Sequence, residues 1–384
     1  MGVRPSMFKL EAPDDLSLIL DALLIPPPAE GRGRQQASGV LTAEGAMVEN
    51  AISWSTSSEP VNATPAMPAP DEITPLAGTW MFGGVLYGHF GHFITESFAR
   101  AWALDEIRGK IEGILFTPKQ TSGNLEGTLK ALRPLMDILG LDVPVRCITT
   151  PTRVDQLYVP RQGVGMNDLT TGSRKFRDFV NARSGATVEP EGDPRIYISR
   201  SLLPPGRGGL IGESLLEQYL VDEGYHLFHP QKHSAAVQIA RYKAARDIIT
   251  VDCSPLHMLA YVGNSAQRVG ILTRRSMDFA PSFIRQLEAF KGITAFEVNT
   301  LVRDWVPGRS LRPGRGSFGE MDFPRTWQIL RERGMISSDT PWPALTDEQR
   351  EADLTRLNTL HDLTFYPLDG NLALQEKKTV AKAV

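Results

Sequence analysis

The chain has 384 residues and carries 41 Lys and Arg against 44 Asp and Glu, a formal net charge of −3. It lacks the basic excess needed to neutralise a long phosphate backbone, so nucleic acid is excluded as an expected partner. The 41% hydrophobic and 22% charged content is that of a globular protein, not of a disordered or fibrous one, and the length calls for two packed units.

Only Cys147 and Cys253 occur, too few and too far apart for a disulfide framework or a thiolate zinc site, which fits a reducing cytoplasm. No apolar stretch is long enough for a transmembrane helix, and no secretory signal opens the chain, so a cytoplasmic location is expected. Peripheral membrane association stays compatible with that. Met1-Gly2 with Ser6 matches the short myristoylation pattern, but Pro5 interrupts it and the match is weak.

Residues 1–75 are rich in Pro, Ala, Gly and Ser and read as an irregular lead-in with one or two edge strands. An α/β lobe is expected over 76–188. Its first helix is predicted at 92–107, followed by a strand at 115–117, a helix at 125–139, strands at 145–149 and 156–159, and a helix at 174–183. The segment 189–194 is Pro-, Gly- and acid-rich and reads as a linker.

Beyond it, over 194–310, strands at 196–199, 225–228, 248–251, 268–272 and 295–298 alternate with helices at 213–223, 234–245, 255–262 and 282–290. That rhythm predicts a Rossmann-like parallel sheet. Residues 311–384 read as a C-terminal extension, mostly Pro- and Gly-rich coil with one helix at 347–357.

In a parallel α/β sheet ligands bind beyond the carboxyl ends of the strands, so the loops after Ser199, Val251 and Leu272 are where a site belongs. The first holds Arg200 and Arg207, whose planar guanidiniums can fork onto phosphate oxygens; solvated loop arginines would look the same. The second runs Asp252-Cys253-Ser254-Pro255-Leu256-His257. Ser254 suits a helix N-cap and Pro255 the first helical position, an arrangement that suits an anion although most capped helices bind nothing.

Upstream, Gly88-His89-Phe90-Gly91-His92-Phe93-Ile94-Thr95-Glu96 places His92 and Glu96 four residues apart on one helical face. The pair could move a proton, could be structural polar packing, or could be half of a metal site, though no third ligand is evident. There is no Asp-x-Asp to hold a divalent cation on a diphosphate, no P-loop and no G-x-S-x-G elbow. No cofactor or metal is expected.

In order and spacing these segments resemble glycosyltransferase family 61, the capsular polysaccharide biosynthesis type, over roughly 80–275. The matching motifs are Gly91-His92-Phe93-Ile94-Thr95-Glu96 through Arg100 and Trp102; Ile196-Tyr197-Ile198-Ser199-Arg200 with Arg207 and Ile211-Gly212-Glu213; and Gln238 to Tyr242 with Ser254-Pro255-Leu256-His257. The resemblance implies two Rossmann-like lobes facing a cleft in the GT-B manner. It also implies an inverting, metal-independent transfer from a nucleotide-sugar donor to a glycan or small-molecule acceptor.

Donor binding is then expected from Ser199, Arg200, Arg207, Glu213, Ser254 and His257, and catalysis from His92 and Glu96. Gly212 stands where the family commonly has Asn, and Cys253 where it commonly has Gly. Those two departures motivate the alternative of a catalytically silent glycan- or nucleotide-binding partner of an assembly complex; a third reading is an epimerase of the same fold.

Overall fold

The computed structural model describes residues 7–29, 35–119 and 123–369; the myristoylation-like pattern at 1–6 and the last residues of the C-terminal extension lie outside them. The expected α/β class is what forms. The chain divides into two compact units. The first comprises the described residues of Met1–Glu189 with His257–Val262 and Ala289–Lys291, and the second Pro190–Leu256, Gly263–Glu288 and the described residues of Gly292–Val384.

The first unit is built on a six-stranded mixed sheet. Its strands are β1 (Leu16–Ile25), β2 (Gly39–Leu41), β3 (Thr74–Leu86), β4 (Gly113–Pro118), β5 (Val145–Cys147) and β6 (Thr152–Pro160), in the order β2-β1-β6-β3-β4-β5. β6, β3, β4 and β5 run parallel, and β1 joins β6 and β2 antiparallel. All six residues of β4, Gly-Ile-Leu-Phe-Thr-Pro, are buried, the near-continuous apolar run of a parallel strand covered on both faces.

Where edge strands were expected in the lead-in, β1 is an inner strand of ten residues, paired from Leu16↔Pro160 to Leu24↔Thr152 on one side and with β2 on the other. The helices α1 (Leu125–Leu139) and α2 (Arg174–Arg183) fall where the period placed them. Asn124 caps α1 by accepting from the Gly127 amide, and Gly140 ends it at φ +98°; Ser173 caps α2 by accepting from Phe176. Phe98, Phe176, Phe179, Tyr261 and Phe290 form an aromatic cluster with ring centroids 5.1 to 6.1 Å apart.

The helix expected at 92–107 is instead a composite: an α turn at Phe90–His92, a π turn at Phe93–Ser97, a 3₁₀ stretch at Phe98–Ala103 and an α turn at Leu104–Ile107. Side-chain bonds within it account for the irregularity. Thr95 Oγ1 donates to the Gly91 carbonyl and Ser97 Oγ to that of Val85. Arg100 is buried, and its guanidinium donates to the carbonyls of Pro160, Asn50 and Ile52 and to Ser53 Oγ. Burial pushes that guanidinium down to about 9.

The second unit holds an all-parallel sheet of β7 (Arg195–Ile198), β8 (His226–Phe228), β9 (Asp247–Val251), β10 (Arg268–Leu272) and β11 (Thr294–Val298), ordered β8-β7-β9-β10-β11. Helices α3 (Glu213–Asp222), α4 (Ala235–Ala244), α5 (Pro255–Val262) and α6 (Ala280–Lys291) connect the strands. The order 2-1-3-4-5 reverses between β7 and β9, and such a switch point opens a crevice at the carboxyl ends.

β12 (Leu301–Pro307) falls at the end of the stretch expected to be the Rossmann-like lobe, and the coil expected over 311–384 gives way to β13 (Phe318–Met321) and β14 (Phe365–Pro367), which join β12 in a second, antiparallel sheet, with α7 (Phe323–Glu332) and α8 (Asp347–His361). Asp322 caps α7 and a proline sits in its first turn, while Phe323, Thr326 and Leu330 face the core at helical spacing.

Candidate functional site

Two clusters gather side chains suited to chemistry, one in each unit. In the first unit the short turn after β3 leads into the composite helix, and its π turn brings Glu96 against His92: the imidazole Nδ1 pairs with a carboxylate oxygen of Glu96. The His92 side chain is 48% exposed and that of Glu96 only 10%, so the imidazole reaches solvent while the carboxylate backs it. π turns of this kind recur at functional sites.

Around the pair, Tyr87 stacks on His92 at 5.2 Å between ring centroids and His89 meets it edge-on at 5.7 Å. Tyr87, His89, Lys119, Asn124 and Thr128 line an adjoining cleft of about 260 Å³. Burial lowers the Lys119 ammonium from its ordinary value, while the Glu96 charge opposes that. Arg100 and Trp102 of the same motif are structural: Arg100 knots the run to β6 and the lead-in, and Trp102 Nε1 donates to the Arg161 carbonyl.

In the second unit the switch point gathers the loops after β7 and β9. Glu213, at the start of α3, is buried under the first loop: it accepts from Tyr197 Oη at 3.0 Å, Ser199 Oγ at 3.3 Å and the backbone amides of Arg200 at 2.7 Å and Leu210 at 3.4 Å. Burial raises its carboxyl, with the Arg200 amide and charge and the Tyr197 hydroxyl opposing. Ser199 is buried too and donates to Glu217 at 2.5 Å. Ser199 and Glu213 thus hold the loop from beneath, while half-buried Arg200 and Arg207 line a narrow crevice beside Arg356 and His361.

Asp252, which heads the loop after β9, gathers two residues after β10 that the sequence did not single out, Arg274 and Arg275. Arg274 Nε stands 2.8 Å from Asp252 Oδ1 and also donates to the Asp252 carbonyl at 3.2 Å; Arg275 Nε stands 3.7 Å from Oδ2. Burial pushes Arg274 down to about 10, Asp252 resisting. Burial raises Asp252, against the pull of Arg274, Arg275 and Arg200. The Asp252 carboxylate thus pairs with Arg274 and Arg275, and the charge of Arg200 acts on all three groups. The loop after Leu272 was expected to carry a site; the adjacent pair Arg274-Arg275 was the available signal.

Ser254 is half-buried and immediately precedes α5, whereas His257 is buried within α5 and groups with the first unit, apart from Ser199, Arg200, Arg207 and Glu213. Gly212 has φ +72° and its amide donates to Asp353 at 2.7 Å. Its replacement of Asn therefore keeps a left-handed position with a residue that tolerates it. Cys253 is buried, with Sγ 3.4 Å from Thr250 Oγ1. Among the described residues no three His, Cys, Asp or Glu side chains gather as a metal site, and no helix is long and apolar enough to cross a membrane.

Compared with known families, residues 90–269 match the model described as Glycosyltransferase 61, as the motifs led one to expect. The matched stretch contains both His92 and Glu96 and the Arg200 to Ser254 segment, and ends in β10, before Arg274. No curated protein matches the chain.

Proposed function

We propose, on the premise that residues 90–269 place the chain in glycosyltransferase family 61, that it is an inverting, metal-independent transferase. It moves a sugar from a nucleotide-sugar donor to a glycan or related acceptor in cell-surface polysaccharide assembly, in the cytoplasm and with a GT-B-like pair of lobes. Family membership supports glycosyltransferase activity with a donor and an acceptor; the arginine cluster at the switch point supports a diphosphate-bearing donor held without a metal.

In this reading Arg200, Arg207 and Arg275 hold the donor diphosphate, aligned by Asp252 and Arg274, and stabilise the charge that grows on it as the glycosidic bond breaks. Fixed guanidiniums supply there the positive field that a cation supplies elsewhere. Ser199 and Glu213 keep the loop in shape, and Ser254 brings the start of α5 to the same strand ends.

His92 removes the acceptor's hydroxyl proton. Glu96 on Nδ1 selects the tautomer protonated at that nitrogen, so Nε2 is the basic one. The acceptor oxygen gives its proton to Nε2 and attacks the anomeric carbon from the face opposite the diphosphate. The carbon–oxygen bond to the diphosphate breaks, the nucleotide leaves, and the imidazolium returns its proton to water. Glu96 then steadies the imidazolium, as an orienting carboxylate does.

A transfer assay over a panel of nucleotide sugars tests this. One donor should yield a glycoside of inverted anomeric configuration. Hydrolysis or transfer with none of them would favour the alternative of a silent glycan- or nucleotide-binding partner, and release of free sugar and nucleotide without an acceptor would favour the epimerase.

A further inference from the structure

The arginine loops of the switch point lean on the antiparallel sheet that follows the parallel one. Four amides of the 206–212 segment, which follows Arg200 and carries Arg207, donate to residues past 314. Gly206 donates to His361 Nδ1 at 3.2 Å, Gly208 to the Arg315 carbonyl at 2.9 Å, Ile211 to that of Gly319 at 2.8 Å and Gly212 to Asp353 at 2.7 Å. In return the Gly319 amide donates to the Gly209 carbonyl at 3.1 Å. Arg200 is fixed through the same segment, because its Nε donates to the Gly208 carbonyl at 2.9 Å.

The loop after β10 is held by the neighbouring strand. Ser276, next to Arg275, donates from its amide to both carboxylate oxygens of buried Asp304, at 3.1 and 3.2 Å, and from its hydroxyl to one of them. Asp304 on β12 and Gly319 on β13 are paired directly in the antiparallel ladder. The Gly319 backbone abuts this loop as well: a Cβ there would stand 2.2 Å from the Arg274 carbonyl oxygen. Glycine inside a strand often marks such a close approach of another backbone.

We infer that the cross-strand pair Asp304–Gly319 positions the donor-binding arginines. Gly319 ties the Arg207 segment on one side and meets the Arg274 carbonyl on the other, and Asp304 ties Ser276. One rung of the ladder therefore sets the spacing of two loops whose guanidiniums must reach the same diphosphate. Both residues act through the loops, not on the donor. Both lie beyond the matched residues 90–269, so the site is not complete within that stretch.

The inference rests on the switch point being the donor site, and the experiment separates the two. In the full chain, amide hydrogen exchange at Ile211 and Ser276 is compared among wild type, Gly319→Ala, Asp304→Ala and Asp304→Asn, with the amides of β9 as reference. Affinity is measured by calorimetry with the one of ADP, CDP, GDP and UDP that most raises the wild-type Tm. Gly319→Ala should speed exchange at both Ile211 and Ser276 by at least about tenfold while β9 keeps its protection. Asp304→Ala should speed exchange at Ser276 and weaken the nucleotide about tenfold. Asp304→Asn keeps an acceptor for the Ser276 amide and should return the affinity to within about threefold of wild type. A carboxylate beside this loop repels a diphosphate, so a purely electrostatic role for Asp304 predicts tighter binding on its removal. Equal or tighter binding in Asp304→Ala, or unchanged exchange in both Gly319→Ala and Asp304→Ala, overturns the inference. If Gly319→Ala does not fold, the two Asp304 variants decide. If no nucleotide binds wild type, the donor reading fails, and exchange alone decides whether the pair holds the loops.

Discussion

Asp252 and Arg274 are both almost completely buried and stand 2.8 Å apart at the carboxyl end of the parallel sheet. A buried pair of this kind contributes little net stability over a hydrophobic one, but leaving either member alone in the interior is costly. Asp252→Ala should therefore destabilise the protein by about 3 to 5 kcal/mol, read as a shift of the urea midpoint at constant slope. Asp252→Leu combined with Arg274→Met should recover most of that loss in stability while still losing nucleotide affinity. A double variant as unstable as Asp252→Ala would show that the pair does more than satisfy itself.

Arg100 belongs to the family motif, yet its contacts are those of a structural knot. It serves three carbonyls and Ser53, and a buried acceptor left without a partner costs about 1 to 3 kcal/mol. Arg100→Leu should lower stability by at least about 3 kcal/mol. At a temperature where that variant remains folded, its donor KM should match wild type. A large rise in donor KM with unchanged stability would contradict the structural assignment.

The arginines at the switch point lead to a second expectation, that activity survives chelation. Full turnover is expected after treatment with EDTA and gel filtration. Loss of turnover that manganese or magnesium restores would show that a divalent cation, and not the guanidiniums alone, carries the diphosphate charge.

The base is tested by deletion. Removing a general base typically costs about 10² to 10⁴ in rate, so His92→Ala should depress kcat by that order while donor affinity, measured by calorimetry, stays near wild type. Glu96→Gln should also lower kcat, because the amide is a poorer acceptor for the Nδ1 proton. If folded His92→Ala and Glu96→Ala both turn over within a few-fold of wild type, the composite helix is structural and the base lies elsewhere.

Much of this was legible in the sequence, for identifiable reasons. α1 and α2 match their expected ends because Asn124, Ser173 and Gly140 are local stop and start signals that act whatever the tertiary context. The second unit's strands were readable because each apolar run is bounded by a helix of clear period. β1 was not, because what makes it a strand is pairing with β6 more than a hundred residues away, which no local window contains. The composite form of Phe90–Ile107 arises from the Arg100, Thr95 and Ser97 bonds, and these depend on carbonyls brought in by the fold. The cap at Asp322 and the spacing of Phe323, Thr326 and Leu330 were a readable helix signal hidden among Pro and Gly.

At the switch point, strand-end position alone was enough to place Arg200 and Arg207 together beside one crevice. Arg274 and Arg275 needed the strand order, which puts β10 beside β9 and so brings the adjacent pair to Asp252. Ser199 and Glu213 have the expected location but point inward, a distinction that residue type and spacing do not carry.

On the proposed function, the carboxyl ends of β7, β9 and β10 hold a nucleoside diphosphate. The most direct test is thermal stabilisation across a panel of nucleoside diphosphates and their sugars, followed by calorimetry of the best ligand on wild type and Arg200→Ala. A ligand that binds only the folded state raises its apparent stability by mass action. At least one nucleotide should raise Tm without added metal, and Arg200→Ala should bind it about ten- to a hundredfold more weakly with its own fold intact. Stabilisation by no nucleotide, or equal affinity in wild type and Arg200→Ala, would contradict the claim.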